Sequence, residues 1–369
     1  MSPHTAVMRP KLPAAAAVGR YLEKIDAARI YSNFGPLNTE LERRLAAFYG
    51  LDEGSVVTVN NATVGLTLAL QALGAKPGSL CLMPAWTFIA SAHAAFAAGL
   101  QPYFLDVDER TWALDPDAVK ARLTHLPGPV GAVMPVAPFG YPLDGAAWDS
   151  FTEETGVPAV IDAAAGFDGL TPTRTPCVVS LHATKVLGIG EGGFIVSRDT
   201  ALIGDIHRRS NFGFYQSRIA QLAAQNAKLS EYHAAVGLAA LDEWTACRAD
   251  WMRTAAHYAR HLDANNSVAF QPGFGDAWVG SVCVLRLARA EAGDLEAALT
   301  RGGVETRRWW GDGAHRHPPT ATLPRDELPV TEMLTESTLA VPFYRDLDEE
   351  TAGHVASLIA DAQALPRAS

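Results

Sequence analysis

The sequence predicts an α/β fold, with a large unit built on a mixed, mostly parallel sheet between helices and a smaller C-terminal α/β unit after it. Three observations predict this. Short apolar segments of strand length alternate with segments of helical periodicity. The last three strand-like segments of that run, "PAVIDAAA", "CVVSLHA" and "GGFIVS", follow one another without helices, so part of the sheet is expected to be antiparallel. The chain's 369 residues, 48% of them hydrophobic, suffice to bury a large core, and the length suggests two units.

The elements follow in order. "TELERRLAAFYG" carries apolar residues at helical spacing and ends on a glycine; "SVVTV" is strand-like; "TVGLTLALQALGA" is helical; "LCLMPA" is a strand again. The alternation continues through "SAHAAFAAGL" (helix), "QPYFLDVD" (strand), "DPDAVKARL" (helix), "GAVMPVAP" (strand) and "GAAWDSFTEETG" (helix). Strands separated in this way lie parallel with both faces covered. From "NAKLSEYHAAVGLAALDEW" onward the pattern is helical over a long section that is expected to break near Trp244. "VGSVCVLRLA", "AGDLEAALTRGGV" and "EETAGHVASLIADA" then mix strand and helix. The expected division is residues 1–244, N-terminal segment included, and residues 245–369.

Composition excludes several classes. A net charge of -10 opposes a nucleic-acid surface, which needs a basic stripe, so any phosphate must be met by a local pocket. No apolar run is long enough to span a membrane, and the first twenty residues lack a secretory pattern; a cytoplasmic protein is expected. Cys81, Cys177, Cys247 and Cys283 are too far apart for zinc-ligand spacing or a disulfide framework, and no metal is expected.

The chemistry gathers around one lysine. In "VVSLHATKVLGIGEGGFIV", Lys185 stands between an apolar strand and a glycine-rich turn. Open parallel sheets bind ligands beyond the carboxyl ends of their strands, and four such ends carry polar groups here: "NNATVGL", "MPAWTF", "VIDAAAGFDG" and "SLHATK". Asp162 directly follows an apolar strand, where a carboxylate needs something to satisfy it; it either caps the following turn or serves a ligand. A lysine amine forms a Schiff base with an aldehyde, and an aspartate keeps a pyridine nitrogen protonated, so the pair suits pyridoxal phosphate. "NNATVGL" at a helix start would cradle the phosphate, and Phe88 would stack on the ring.

Other signals have simpler readings. "GIGEGG" leads into a strand rather than a helix, unlike a dinucleotide fingerprint, and reads as a tight turn that returns Lys185 toward the ligand. His182 lacks a second ligand at metal spacing and is expected to pack beneath the site. "RRWWGDGAHRHP" reads as a loop facing an anionic small substrate.

From "YSNFGPLNTELERRLAAFYG" through "SLHATKVLGIGEGGFIV" and "NAKLSEYHAAVGL" to "VETRRWW" and "LAVPFYRDL", the chain resembles the DegT-type aminotransferases, which aminate keto sugars carried on nucleotides. The resemblance implies the type I fold of aspartate aminotransferase, pyridoxal 5'-phosphate as cofactor, and a homodimer with active sites at the subunit interface. It makes Lys185 the Schiff-base lysine, Asp162 the partner of the pyridine nitrogen and Phe88 the stacking ring, with Trp86 either serving the pocket or packing. For the phosphate it implies backbone groups of Ala62 and Thr63, the Ser180 hydroxyl, and Asn226 from the other subunit, at the start of a long helix. L-glutamate is the implied amino donor. The ends "YSNFGPL" and "RRWWGDGAHRHP" are most similar to the VioA-like members that aminate carbon 4 of a dTDP-4-keto-6-deoxy sugar. A 3-keto sugar aminotransferase, a sugar dehydratase of the same family and a non-catalytic cofactor-binding protein are the alternatives; dehydratase members carry histidine in place of the lysine. Two departures stand out. Ala62 replaces a glycine of the phosphate turn, which makes that turn less permissive. Ala165 replaces the usual glutamine or histidine, so another group or a water must supply the hydrogen bond beside the cofactor's ring oxygen.

Overall fold

The computed structural model describes residues 4–215, 217–262, 268–288 and 292–364. Its first part comprises α1 (Ala15–Ala28), α2 (Pro36–Phe48), β1 (Val56–Val59), α3 (Ala62–Ala72), β2 (Leu80–Pro84), α4 (Ala90–Ala97), β3 (Gln101–Leu105), α5 (Pro116–Arg122), β4 (Val130–Val133), α6 (Gly145–Thr155), β5 (Ile161–Asp162), β6 (Cys177–Ser180), β7 (Gly193–Val196) and α7 (Thr200–Ser210). One four-stranded sheet has the order β1-β7-β6-β5 and one three-stranded sheet the order β3-β2-β4. They join between β4 and β5, where Val160 N–H donates to Val133 O at 3.0 Å and Asp162 N–H donates to Pro135 O at 2.9 Å. The result is one continuous sheet. Only β7 runs against its neighbours, pairing antiparallel with both β1 and β6. The expected antiparallel part is therefore a single strand, because β5 and β6 are parallel.

Both faces of this sheet are covered, and the pleat sorts its side chains between two cores. Val56, Leu80, Leu82, Cys177, Val179, Phe194 and Val196 face one core; Val57, Val59, Cys81, Met83, Val178 and Ile195 face the other, packed with the apolar residues of α3 and α4. The helices begin where short side chains accept the free N–H groups of their first turns: Asn61 for α3, Asp115 for α5, Asp144 for α6 and Asp199 for α7. The sequence reading passed over α1 and α7. All four cysteines are free and buried, and none of the described helices is long and apolar enough to cross a membrane.

The second part comprises α8 (Glu231–Leu262), β8 (Val268–Ala269), β9 (Cys283–Leu287), α9 (Ala292–Arg301), α10 (Pro329–Ser337), β10 (Thr338–Val341) and α11 (Glu349–Ala364). Its sheet, β10-β9-β8, is antiparallel throughout. Two findings differ from expectation. The helix expected to break near Trp244 does not break: α8 runs for 32 residues, with buried side chains on both sides of Trp244. It packs on α1 and α2 and then on α11, so its apolar stripe has a partner along the whole length and nothing favours a break. The N-terminal segment, expected with the large unit, pairs with the second part: Thr5 N–H donates to Gly303 O at 2.9 Å and Phe343 N–H to Val7 O at 3.0 Å.

One buried carboxylate ties α8 to α2. Glu231, 1% exposed, accepts the N–H groups of Leu37 and Asn38 at 2.8 Å each. These are first-turn donors of α2, which begins after Gly35 with no side-chain cap of its own. A side chain at position 35 would put its Cβ 2.7 Å from the Glu231 Cδ, so glycine is needed for the close approach. Replacing Glu231 with Ala strands two buried donors and is expected to lower the unfolding free energy by about 2–4 kcal/mol, read as a lower urea midpoint at unchanged slope.

Candidate active site

The parallel strands β1, β2, β5 and β6 all end on one edge of the sheet, and the four polar strand ends singled out in the sequence meet there. They line a cavity of about 490 Å³ that contains Ala62, Thr63, Phe88, Asp162, Ser180 and Lys185. Asn226 does not line it. It lies before α8 rather than at a helix start, in an antiparallel bridge with Asn211, where its Oδ1 accepts from Lys228 Nζ at 2.7 Å.

One end of the cavity is built for an anion. Asn61 Oδ1 accepts the Val64 N–H at 2.9 Å and starts α3, whose preceding N–H groups, on Ala62 and Thr63, have no acceptor among the described residues. Free first-turn donors together with the helix dipole attract phosphate. Ser180, close by on β6, accepts the His182 N–H at 3.2 Å, which leaves its own proton to give. Gly193 lets β7 pass this turn: a Cβ there would lie 2.9 Å from Ala62 N. Ala62 itself is an ordinary first helical residue without positive φ. The alanine therefore makes this turn no less permissive, contrary to expectation, since the conformation never needed glycine.

Asp162 and Lys185 stand at the neighbouring ends of β5 and β6. Asp162 is 5% exposed; its Oδ1 accepts the Ala164 N–H at 3.1 Å and its Oδ2 the Ser91 hydroxyl at 2.7 Å. The turn-capping bond is thus present on a carboxylate that also faces the cavity. Burial pushes its pKa above the ordinary aspartate value, opposed by the bonds from Ser91 and Ala164 and by the Lys185 charge. Loss of water pulls the Lys185 pKa below the ordinary lysine value, opposed by Asp162. Each group feels the other's charge, yet no direct ion pair joins them among the described residues.

The lysine turn is closed by its own chain. Ala183 N–H donates to Gly190 O and Ile189 N–H to Leu181 O, both at 2.8 Å, and Lys185 N–H returns to His182 O at 2.9 Å. Gly190 has φ +105°, and a Cβ on Gly188 would lie 2.6 Å from Ala183 O. "GIGEGG" is the tight turn that the sequence suggests. His182 does not pack beneath the site: its half-exposed side chain lines the cavity, with Nδ1 2.9 Å from Thr184 Oγ1 and Nε2 3.8 Å from the Glu191 carboxylate. That ring sits on a tight turn rather than on a strand face, which turns it toward solvent.

The wall opposite comes from distant segments. Phe139, at φ 57°, stacks on Trp310 with centroids 4.0 Å apart. A left-handed phenylalanine costs about 1–2 kcal/mol, and Gly140 beside it approaches Ala165 O so closely that a Cβ would lie 2.7 Å away. Trp86 packs behind, 2% exposed and edge-on to Phe139 and Trp310. Phe88 presents its ring to the cavity, 56% exposed. In "RRWW", Arg307, Trp309 and Trp310 line the cavity, with the Arg307 guanidinium 4.7 Å from the Trp309 ring centre. The sequence reading missed Phe139 and the Thr87–Ser91 pair. A signal for the pair existed in two hydroxyls four residues apart in an otherwise apolar run; Phe139 left none.

The arrangement fits pyridoxal phosphate: free helix donors and a hydroxyl for a phosphate, an amine whose pKa burial lowers for an aldehyde, a buried carboxylate for a protonated ring nitrogen, and an open aromatic face for the ring. Known proteins agree. The model of the DegT/DnrJ/EryC1/StrS aminotransferase family matches residues 15–360. A dTDP-4-amino-4,6-dideoxy-D-glucose transaminase of Shigella dysenteriae is 34% identical over 64% of this chain and 64% of its own. A UDP-N-acetyl-3-dehydro-alpha-D-glucosamine 3-aminotransferase of Acidithiobacillus ferrooxidans is 27% identical over 96% and 95%. The crystal structure of DesI with its TDP-sugar product superimposes with a TM-score of 0.88 at 29% identity, covering 99% of this chain and 94% of that one. The chain therefore belongs to the DegT/DnrJ/EryC1/StrS aminotransferase family, enzymes of the type I fold that work with pyridoxal phosphate on nucleotide sugars.

Proposed function

We propose that this aminotransferase moves an amino group from L-glutamate to a dTDP-linked 4-keto-6-deoxy sugar, giving a 4-amino-4,6-dideoxy sugar. The observation that carries the reading is one cavity shared by Lys185, Asp162 and the open start of α3. The dTDP-linked 4-keto choice draws support from the names of the Shigella relative and of DesI with its TDP-sugar product. The Acidithiobacillus relative supports a second reading, amination of carbon 3 of a nucleotide-linked 3-keto sugar. Lys185 speaks against the dehydratase branch.

When bound, pyridoxal phosphate supplies an aldehyde that takes up an amine and a ring that accepts the electron pair released at the donor's α carbon. The protein groups do the rest. The Ala62 and Thr63 N–H groups and the Ser180 hydroxyl would hold the phosphate, Phe88 would pack on the ring, and Asp162 would keep a proton on its nitrogen. Lys185, more readily neutral than a lysine in water, would move a proton between the donor's α carbon and the cofactor. Arg307 faces the anionic substrate from the opposite wall. Asn226 serves the phosphate of the partner subunit's site, in keeping with its place outside the cavity of its own chain. Offering a panel of keto-sugar nucleotides with glutamate, and identifying products by mass and NMR, tests the reading; amination of 3-keto sugars alone selects the second one. A visible absorption band that glutamate does not change would mark a silent binder.

Three variants test the roles. Lys185→Ala is expected to cut turnover at least roughly a thousandfold while circular dichroism stays native; near wild-type turnover would remove the lysine from the mechanism. Asp162→Asn is expected to keep the cofactor and slow the glutamate half-reaction roughly 100-fold, about 2.7 kcal/mol, by stopped-flow absorbance. The shared site is tested by refolding Lys185→Ala together with Asn226→Asp, each inactive alone. About half of randomly assembled dimers are mixed and carry one intact site of two, so activity should return to roughly a quarter of wild type. No return, despite subunit exchange proved with tagged chains, would confine Asn226 to its own chain.

A further inference from the structure

Beside Asp162 lies a short hydroxyl chain that the proposed roles do not use, running from Ser91, which does not line the cavity, to Thr87 in the cavity wall. Ser91 on α4 and Thr87 on the loop before it are 0% and 1% exposed. Ser91 Oγ is 2.7 Å from Asp162 Oδ2, and Thr87 Oγ1 is 2.8 Å from Ser91 Oγ. Thr87 Oγ1 also lies 3.4 Å from the carbonyl oxygen of Phe88, the residue with the exposed ring.

We infer that Ser91, oriented by Thr87, is a positioning residue that keeps Asp162 ionised and aims it at the cavity. The inference rests on the proposed role of Asp162 at the cofactor nitrogen. A carboxylate can only accept, so the single Ser91 proton is committed to Asp162, and Thr87 must then donate to Ser91. In that polarity both bonds of the chain are short. If Asp162 were protonated and gave its proton to Ser91, the chain would reverse and end on the long 3.4 Å approach to Phe88 O, a poor hydrogen bond. The geometry therefore favours the charged form of a carboxyl that burial disfavours. Lys185 is the one charged side chain among the causes that move the Asp162 pKa, and its effect ranks behind the bonds from Ser91 and Ala164. The chain also joins the carboxylate to the loop bearing Phe88, so two groups that face one ring are held by the same pair of hydroxyls.

The test is the ionisation of Asp162 in the full-length protein freed of cofactor, followed by difference infrared spectroscopy of the carboxyl stretch with Asp162→Asn as blank. Ser91→Ala is expected to raise the midpoint by about one pH unit or more, a tenfold gain in proton affinity. Thr87→Val, close in shape and leaving Ser91 in place, is expected to raise it less. An unchanged midpoint in Ser91→Ala overturns the inference; if that variant does not fold, an unchanged midpoint in Thr87→Val does so. With cofactor bound, Ser91→Ala is further expected to shift the pH dependence of the visible absorption band in the direction that Asp162→Asn does. Failure of the proposed role of Asp162 would show differently: the Asp162 midpoint would still move in Ser91→Ala, while Asp162→Asn left the half-reaction rate unchanged.

Discussion

Satisfying a carboxylate buried at the end of a strand covered on both faces is the constraint on which this site depends. Taking such a group out of water costs several kcal/mol, and each hydrogen bond to the ionised form recovers about 1.5–3 kcal/mol. Such bonds offset part of that cost. Asp162 has two, one on each oxygen: the Ala164 N–H from its own turn and the Ser91 hydroxyl from α4. The first is local and any aspartate before a turn could form it. The second exists only because β2 and β5 lie in one sheet, through β4, so that the segment after β2 reaches the end of β5.

The same edge sets the lysine and the anion end. With β7 antiparallel between β1 and β6, the chain must turn sharply after Lys185 and run back past the start of α3. Glycine is required where that return is tightest, at Gly188 against Ala183 and at Gly193 against Ala62. The glycine-rich turn is therefore a consequence of strand order rather than a ligand-binding loop of its own. It leaves the first N–H groups of α3 open and brings Lys185 within the electrostatic reach of Asp162.

The second part of the chain completes the cavity from outside. Arg307 N–H donates to Ala340 O and Arg307 O accepts from Ala340 N–H, so the segment bearing Trp309 and Trp310 is pinned to β10. Trp310 in turn supports Phe139 in its left-handed conformation, and the stacked pair forms a rigid wall. α8 carries the connection between the two sheets, with Glu231 fixing its start to α2.

Sequence alone determined what depends on near neighbours in the chain. Period-two and helical patterns predicted the α/β alternation, "NNATVGL" marked a helix start, and Lys185 and Asp162 stood out because ionisable residues at apolar strand ends need a reason. The motif around Lys185 carried the family as well. Tertiary structure decided the rest. Ser91 and Thr87 acquire meaning only beside Asp162, Phe139 only beside Trp310, and the continuity of α8 past Trp244 depends on what packs against it. His182 lines the cavity and Asn226 does not, because turn geometry and the bridge to Asn211 set their places. Local pattern reports propensity and periodicity, whereas a binding cavity is made of side chains whose separations are fixed by strand order and helix packing, and no spacing along the chain records those distances.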